Sequence, residues 1–449
     1  MTPEIVRRMS APVPRYTSYP TAPHFSSAIG AGVYEHNLKQ LARDDVVSLY
    51  VHVPFCAELC WYCGCSTKAT RNPETISAYA ATVEQEIANV RARLGKQHTA
   101  THIHWGGGSP NSLSPNDIRR LATALKDNFT TTNETEFAVE IDPRWLTAEQ
   151  VAAFAEVGVN RASIGVQDFD VRVQAAINRM QSIEQTRDTI EQLRTAGVNG
   201  INIDLVYGLP HQTRSSVART IEEVIRLAPD RIALFGYAHL PSRARHQRMI
   251  DERALPDTVE RFGQSRRAQR LLTAAGYVAV GLDHFALPHD PLASGRVARN
   301  FQGYTTDTAN TLIGFGASAI SHLPGGYFQN AVPRADYERR IAQEGLATVR
   351  GIELSLEDRV RASVIERLMC AFELSRQQLE EIYGNEARDV IDTVMLEADE
   401  VVNSDTEGLV KATADGFRLT PRGEPFVRSI AACFDTYLGK SQTLYSQGV

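Results

Sequence analysis

Between residues 46 and 285 the chain alternates short apolar runs rich in β-branched and aromatic residues with longer amphipathic segments. This alternation constrains the fold most, because neighbouring parallel strands need a crossover of about a dozen residues or more, usually a helix. The runs are Val46–Phe55, Thr101–Trp105, Glu136–Asp142, Arg161–Gln167, Gly200–Tyr207, Arg231–Tyr237 and Tyr277–Leu282. Between the first two, Ile76, Tyr79, Ala80, Val83, Ile87, Val90 and Leu94 fall on one face at helical spacing. Asn72 and Pro73 suit the N-cap and first position of that helix, and Gly95 its end. Ser114 and Thr147 open further helices with capping-box patterns or close variants. Gly158, Gly197 and Gly276 each end a helix before a strand, where the left-handed C′ conformation favours glycine. Six or so such units predict a parallel α/β sheet with right-handed crossovers, as a partial (β/α) barrel or a doubly wound sheet.

The flanks read differently. Residues 1–45 carry Pro12, Pro14, Pro20 and Pro23 and predict an irregular arm with a short helix. Residues 286–350 are glycine-containing and loop-rich, an extension carrying substrate loops. Residues 351–449 are mostly helical, and Leu409–Ala412 and Phe417–Thr420 flank a turn like the wing of a winged helix. That last part holds 10 Lys+Arg against 18 Asp+Glu, a net of −8, which leaves +2 on the rest. A DNA-gripping wing is basic, so a structural or lid domain is expected and no nucleic-acid partner. No apolar run reaches membrane-spanning length and no apolar leader stands at the N-terminus, so the expectation is a cytoplasmic protein.

Four of the six cysteines lie within ten residues: Cys56, Cys60, Cys63 and Cys65. Cys370 and Cys433 stand alone. Cys56, Cys60 and Cys63 are spaced C-x3-C-x2-C, which places three thiolates in one tight loop after a strand. Such a loop can hold three irons of a [4Fe–4S] cluster and leave the fourth open to a small molecule. A structural zinc site is the alternative, but zinc wants four ligands, usually in two separated knuckles. No second knuckle follows.

C-x3-C-x2-C with an aromatic residue before the third cysteine resembles the signature of radical S-adenosylmethionine (SAM) enzymes. Leu49–Cys56 and Cys63-Gly64-Cys65 are similar to the oxygen-independent coproporphyrinogen III oxidase family in particular. So are Pro14–Thr21, His104–Pro110, Gly165–Phe169, Asp204–Pro210, Asn300–Thr306 and Cys433–Leu438, nearly end to end. The resemblance selects the partial parallel (β/α)6-type radical SAM barrel. It implies oxidative decarboxylation of two propionates of coproporphyrinogen III to vinyls, giving protoporphyrinogen IX in haem biosynthesis. It also implies a [4Fe–4S] cluster on Cys56, Cys60 and Cys63, two SAM molecules, a reduced electron carrier such as flavodoxin or ferredoxin, an unidentified electron acceptor and a monomer.

Ligands in parallel α/β folds bind at the carboxyl ends of the strands. Tyr50 and the cysteines, Gly106–Ser109, Glu140 and Asp142, Gln167, Asp204 and Ala238-His239 close successive runs. Each alone suits a turn or a cap; together they suggest one site. By the resemblance, Gly107, Gly108 and Ser109 meet the amino end of SAM, Ser109 standing where the family usually has threonine. Tyr50, Tyr62 (often phenylalanine in the family), Glu140, Gln167, Arg179, Asp204, Ala238 and Ile320 match its SAM-contact positions, with Tyr50 near the sulfonium. Taken alone, Glu140 in an apolar strand needs a partner, and a neighbouring arginine would satisfy it as well as a ligand. Arg179 alone reads as a solvated helix residue. A four-carboxylate substrate calls for arginines, and Arg15 and Arg299 are candidates. Cys65 is not assigned as a ligand. A haem-trafficking chaperone of the same superfamily is the rival reading. That relative lacks the Cys65 position and the Arg15–Thr21 arm. A winged-helix DNA regulator with a redox cluster is disfavoured by the acidic C-terminal part.

Overall fold

The computed structural model describes residues 1–42, 44–307, 309–440 and 445–448. Twelve strands form one sheet. In chain order they are β1 (Val47–Val53), β2 (Ala100–Gly107), β3 (Glu136–Ile141), β4 (Arg161–Gln167), β5 (Gly200–Tyr207), β6 (Arg231–Gly236), β7 (Val278–Val280), β8 (His284–Ala286), β9 (Leu312–Phe315), β10 (Ile320–Leu323), β11 (Gly326–Asn330) and β12 (Thr348–Glu353). Their spatial order is β12-β11-β10-β9-β1-β2-β3-β4-β5-β6-β8-β7. β9 and β1 to β6 run parallel, and the flanking strands are antiparallel.

Helices connect the parallel strands as the alternation predicts. They are α3 (Pro73–Arg93), α4 (Pro115–Asn128), α5 (Ala148–Glu156), α6 (Val171–Ala176), α7 (Ile183–Thr195), α8 (Arg214–Leu227) and α9 (Thr258–Ala274), after α1 (Pro3–Met9) and α2 (Ala31–Lys39) in the arm. Asn72 caps α3 through Thr75 N, and the predicted face from Ile76 to Leu94 is buried. Thr147 and Gln150 form a capping box on α5. Gly158, Gly197 and Gly276 have φ of 87°, 94° and 93°.

Alternation along the strands separates core from lumen. Ile103 and Trp105 of β2 are buried against the helices, with Trp105 edge-on to Phe137 and Phe154. His102 and His104 face inward to a cavity of about 160 Å³. Each buried aliphatic in this layer, such as Ile103 or Ile164, contributes about 1.5–3 kcal/mol.

Two expectations change. Tyr277–Leu282 yields only the short β7, an antiparallel edge strand rather than another parallel unit. Its link to β8 is three residues long, enough for a hairpin but not for a crossover. The glycine-containing stretch 286–350 is not mainly loop: it holds β9 to β12, which extend the sheet on the β1 side. Gly316 and Gly325 lie in turns between those strands, whereas Gly314 and Gly326 lie within β9 and β11. At Gly316 (φ 99°) a Cβ would lie 2.5 Å from Tyr79 Oη.

The C-terminal part has its own core around Val364, Leu368, Phe417 and Phe434. Val410–Ala412 pairs antiparallel with Gly416–Leu419 to make the wing, and Glu373–Ser375 adds a third strand. Tyr16 and Tyr19 of the arm insert into this core, and their hydroxyls meet Asp435 and Thr436. No helix among the described residues is long and apolar enough to cross a membrane.

Candidate active site at the carboxyl ends of the strands

The thiol loop leaves β1 through Phe55-Cys56, which pairs in parallel with Lys68-Ala69. Two further segments hold it. Trp61 N donates to Ile177 O at 2.9 Å and Asn178 Nδ2 to Leu59 O at 3.0 Å. His246 Nε2 donates to Cys63 O at 2.6 Å and Gln247 Nε2 to Tyr62 O at 2.9 Å. Cys60 is buried, Cys56 and Cys63 are partly buried, and Cys65 is exposed.

Two guanidiniums approach the Cys60 sulfur: Arg144 Nη2 at 3.5 Å and Arg179 Nη1 at 3.6 Å. Both pair with Asp142, at 2.7 and 3.2 Å. Burial would raise the Asp142 carboxyl, but Arg179 and Arg144 hold it below the ordinary range. Cys65 N donates to Cys63 Sγ at 3.4 Å. Hydrogen bonding from Cys65 draws the Cys63 thiol down to about 7, while burial pushes Cys56 up to about 12. The loop fits an iron–sulfur cluster: three sulfurs, each free to take a separate iron, beside N–H and guanidinium donors that favour sulfur-centred charge. Among the described residues no three His, Cys, Asp or Glu side chains are placed to share one ion, the arrangement a tetrahedral zinc needs.

The lumen below the loop is polar and fixed. Tyr50 lies mid-strand, opposite His104 on β2 and Gly314 on β9, with its ring stacked on His104 at 5.9 Å. His52 Nε2 donates to Ser66 O at 2.9 Å, since a carbonyl only accepts. Its Nδ1 therefore accepts from the Tyr50 hydroxyl at 3.0 Å. Burial lowers the His52 pKa and keeps the ring neutral.

Among the described residues Glu140 has no arginine partner; His104 Nε2 donates to its Oε1 at 3.1 Å and Gly107 N to its Oε2 at 2.9 Å. Burial would raise this carboxyl, but His104 and the Gly107 amide outweigh it and hold it low. The carboxylate keeps about a third of its surface open (35%) and lines the cavity.

Asp204 also lines the cavity, receiving Ser163 Oγ at 2.8 Å and Asn202 Nδ2 at 2.7 Å. Burial pushes it up to about 6. The folded state thus resists ionising Asp204, and its stability penalty grows as pH rises from the ordinary carboxyl value through 6. Asp204→Asn is expected to match the parent near pH 4 and to exceed it by about 2 kcal/mol near pH 7.5. Urea melts at the two pH values test this; a pH-independent difference would refute it.

The glycine triplet serves close packing. A Cβ at Gly106 would meet Glu140 Oε1 at 2.5 Å, at Gly107 the His52 ring at 2.2 Å, and at Gly108 the Phe55 backbone at 2.6 Å. Gly108 N and Ser109 N donate to Val53 O and Phe55 O. The Ser109 hydroxyl donates to Asn111 Oδ1 at 2.5 Å. Gln167 takes a positive φ of 70° at the end of β4. Ala238 O accepts from Gln247 Nε2 at 3.1 Å. Ile320 opens β10 beside Gly314, the register partner of Tyr50.

Arg179 departs most from its lone-sequence reading. It follows α6 rather than riding on a helix, its side chain is 6% exposed, and Nη2 donates to Gly165 O at 2.5 Å. Arg144, His104, His52, His246 and Gln247 were not singled out from sequence as site residues. Of these, His52 and His104 left a signal: Tyr50 and His52 alternate with the apolar Leu49, Val51 and Val53, and His102 and His104 with Ile103 and Trp105. Segment 300–307 closes the amino-terminal end of the lumen, where Asp307 contacts Ser48 and His102. Arg15 and Arg299 come together, Arg299 Nη2 donating to Arg15 O at 3.4 Å, but they line a different pocket from the lumen.

Comparison with known proteins follows this geometry. The radical SAM superfamily model matches residues 50–224 and the HemN C-terminal domain model residues 354–426. A Bradyrhizobium diazoefficiens protein named oxygen-independent coproporphyrinogen III oxidase is 46% identical over 441 residues, 97% of either chain. A Salmonella typhimurium protein of the same name is 38% identical, covering 97% of this chain and 95% of its own. The solved structure described as coproporphyrinogen III oxidase (HemN) from Escherichia coli, a radical SAM enzyme, superposes with a TM-score of 0.89 at 37% identity. It covers 94% of this chain and 98% of its own.

Proposed function

Because the chain belongs to the oxygen-independent coproporphyrinogen III oxidases, a family of radical SAM enzymes, we propose the following division of labour among its residues. The reaction is oxidative decarboxylation of two propionates of coproporphyrinogen III to vinyls, with release of carbon dioxide. The observation that carries this reading is the similarity to named oxidases along 97% of the chain.

Cys56, Cys60 and Cys63 would hold the [4Fe–4S] cluster. When bound, the cluster and SAM supply one-electron cleavage of a sulfonium, and so a carbon radical able to take hydrogen from an unactivated C–H bond. The chain's own residues bind, orient and exclude water. Glu140 and Asp204 offer acceptor oxygens to ammonium or ribose hydroxyl groups from one lumen wall. Gly107, Gly108 and Ser109 would admit SAM through backbone shape, since the Gly108 and Ser109 amides are already bonded. Arg179 fixes Asp142 and faces Cys60; Gln167, Ala238 and Ile320 complete the SAM walls. Tyr50, with its proton committed to His52, can still accept a hydrogen bond but has none to donate. Tyr62 and Trp61 pack against Val206, Leu209 and Tyr237 and shield the loop's inner side.

The exposed flank at Gly64-Cys65 offers a docking edge for a small reduced carrier of the flavodoxin or ferredoxin kind. We read the protein as a cytoplasmic monomer that accommodates two SAM molecules. Anaerobically reconstituted protein given SAM, reductant and coproporphyrinogen III is expected to form carbon dioxide, 5′-deoxyadenosine and a divinyl product. Stable haem binding without turnover would replace this reading with that of a haem chaperone.

A further inference from the structure

A pocket of about 50 Å³ lies between the ends of β5 and β6, α9, the N-terminal arm and the C-terminal domain. Strand alternation puts it on the other face of the sheet from the lumen. Asp204, Ala233, Phe235 and His284 face the lumen, whereas Tyr207, Leu234, Gly236 and Phe285 line the pocket. Five arginines line it, Arg15, Arg261, Arg266, Arg299 and Arg428, against two carboxylates, Asp283 and Glu424.

Their hydrogen bonding differs. Arg428 spends its donors on the carbonyls of Val13, Pro14 and Gln447, so it ties the arm to the C-terminal domain. Arg15 Nη2 donates to Gly236 O at 2.6 Å. Arg299 is 4% exposed, yet among the described residues its Nε and Nη1 meet no hydrogen-bond acceptor; the carboxylate it pairs with, Asp283, is 3.7 Å away. Burial lowers the Arg15 and Arg261 pKa values and pushes Arg428 down to about 9. A surplus of buried cations is costly unless paired, and a guanidinium pairs best with a planar or tetrahedral oxyanion.

We propose that this pocket binds one oxyanion, a carboxylate or phosphate group, on the Arg299 donors that face no acceptor and the neighbouring Arg15. The volume suits one such group, not a macrocycle. Two sources share this chemistry. One is a propionate of the tetrapyrrole, a reading that rests on the function proposed above. The other is a free small anion bridging arm and C-terminal domain, which does not depend on it.

The test uses full-length, cluster-loaded protein under anaerobic conditions. Sodium phosphate and sodium succinate are compared with sodium chloride at equal ionic strength by thermal melting. Coproporphyrin III and its tetramethyl ester are titrated by fluorescence. Arg299→Gln removes the unpaired donors. Ser265→Asp, at a partly exposed pocket position on α9, supplies a carboxylate of its own.

Phosphate or succinate is expected to raise the parent's midpoint by about 2 °C or more over chloride. Both variants should lose that response, and Ser265→Asp should show a raised midpoint without added anion. If coproporphyrin III also binds about tenfold more weakly to both variants, and its ester binds all proteins equally poorly, the occupant is a propionate. If porphyrin binding is unchanged while the phosphate response is lost, the occupant is a free anion, and the site stands whether or not the proposed function does. No anion effect beyond chloride in the parent, together with no gain in Ser265→Asp, would overturn the site.

Discussion

Cys60→Ser is expected to abolish the cluster chromophore and all SAM cleavage, whereas Cys65→Ser is expected to retain most of both. A serine hydroxyl does not replace a thiolate on iron at neutral pH. Cys60 is the buried member of the three, and two guanidiniums reach its sulfur at 3.5 and 3.6 Å. Losing the sulfur removes a ligand and an acceptor that those two cations share. Cys65 is exposed, and its main-chain N–H, which donates to Cys63 Sγ, is kept by serine. Visible absorbance, iron and sulfide content and 5′-deoxyadenosine formation measure the contrast. Equal loss in the two variants would show that the ligands have been misassigned.

Arg179→Met is expected to destabilise the fold by about 3–5 kcal/mol and to weaken SAM binding by about tenfold or more. The guanidinium serves three acceptors from a side chain that is 6% exposed: Asp142, Gly165 O and Cys60 Sγ. Methionine preserves the packing volume but leaves Asp142 with Arg144 as its remaining cation. Arg179→Lys is expected to recover less than half of the stability, because an ammonium cannot span the fork. Urea melts give the first quantity and equilibrium dialysis of SAM against folded protein gives the second. Unchanged SAM affinity would make Arg179 a structural residue only.

How far the sequence carries can be followed residue by residue. The α3 face, the glycine C-caps and the parallel strands β1 to β6 depend on local periodicity and backbone sterics, and each lies close to where the pattern puts it. The thiol motif is likewise local, since three cysteines within eight residues must share one loop. Strands β9 to β12 escaped because the strand that ties them to the sheet finds its partner far off in sequence: β9 joins β1 through Ser48–Leu312 and its neighbours. Short strands separated by glycine turns look like loop until the sheet edge that receives them is known.

Arg179 shows the same limit inside the site. A lone arginine after a short helix carries no local sign that Asp142 and the Cys60 sulfur will enclose it. The arm and the C-terminal tail are the clearest case. Tyr16 and Tyr19 meet Asp435 and Thr436 across more than 400 residues, and Arg428 takes the carbonyls of Val13 and Pro14. By itself the sequence determined the parallel α/β architecture, the thiol loop and the acidic C-terminal part, because helical and strand periods, turn sterics and motif spacing act over a few residues. Only the tertiary structure decided which charges are buried together, which face of β6 each arginine serves and how the chain's two ends meet. Those depend on burial and pairing between segments that no local pattern connects.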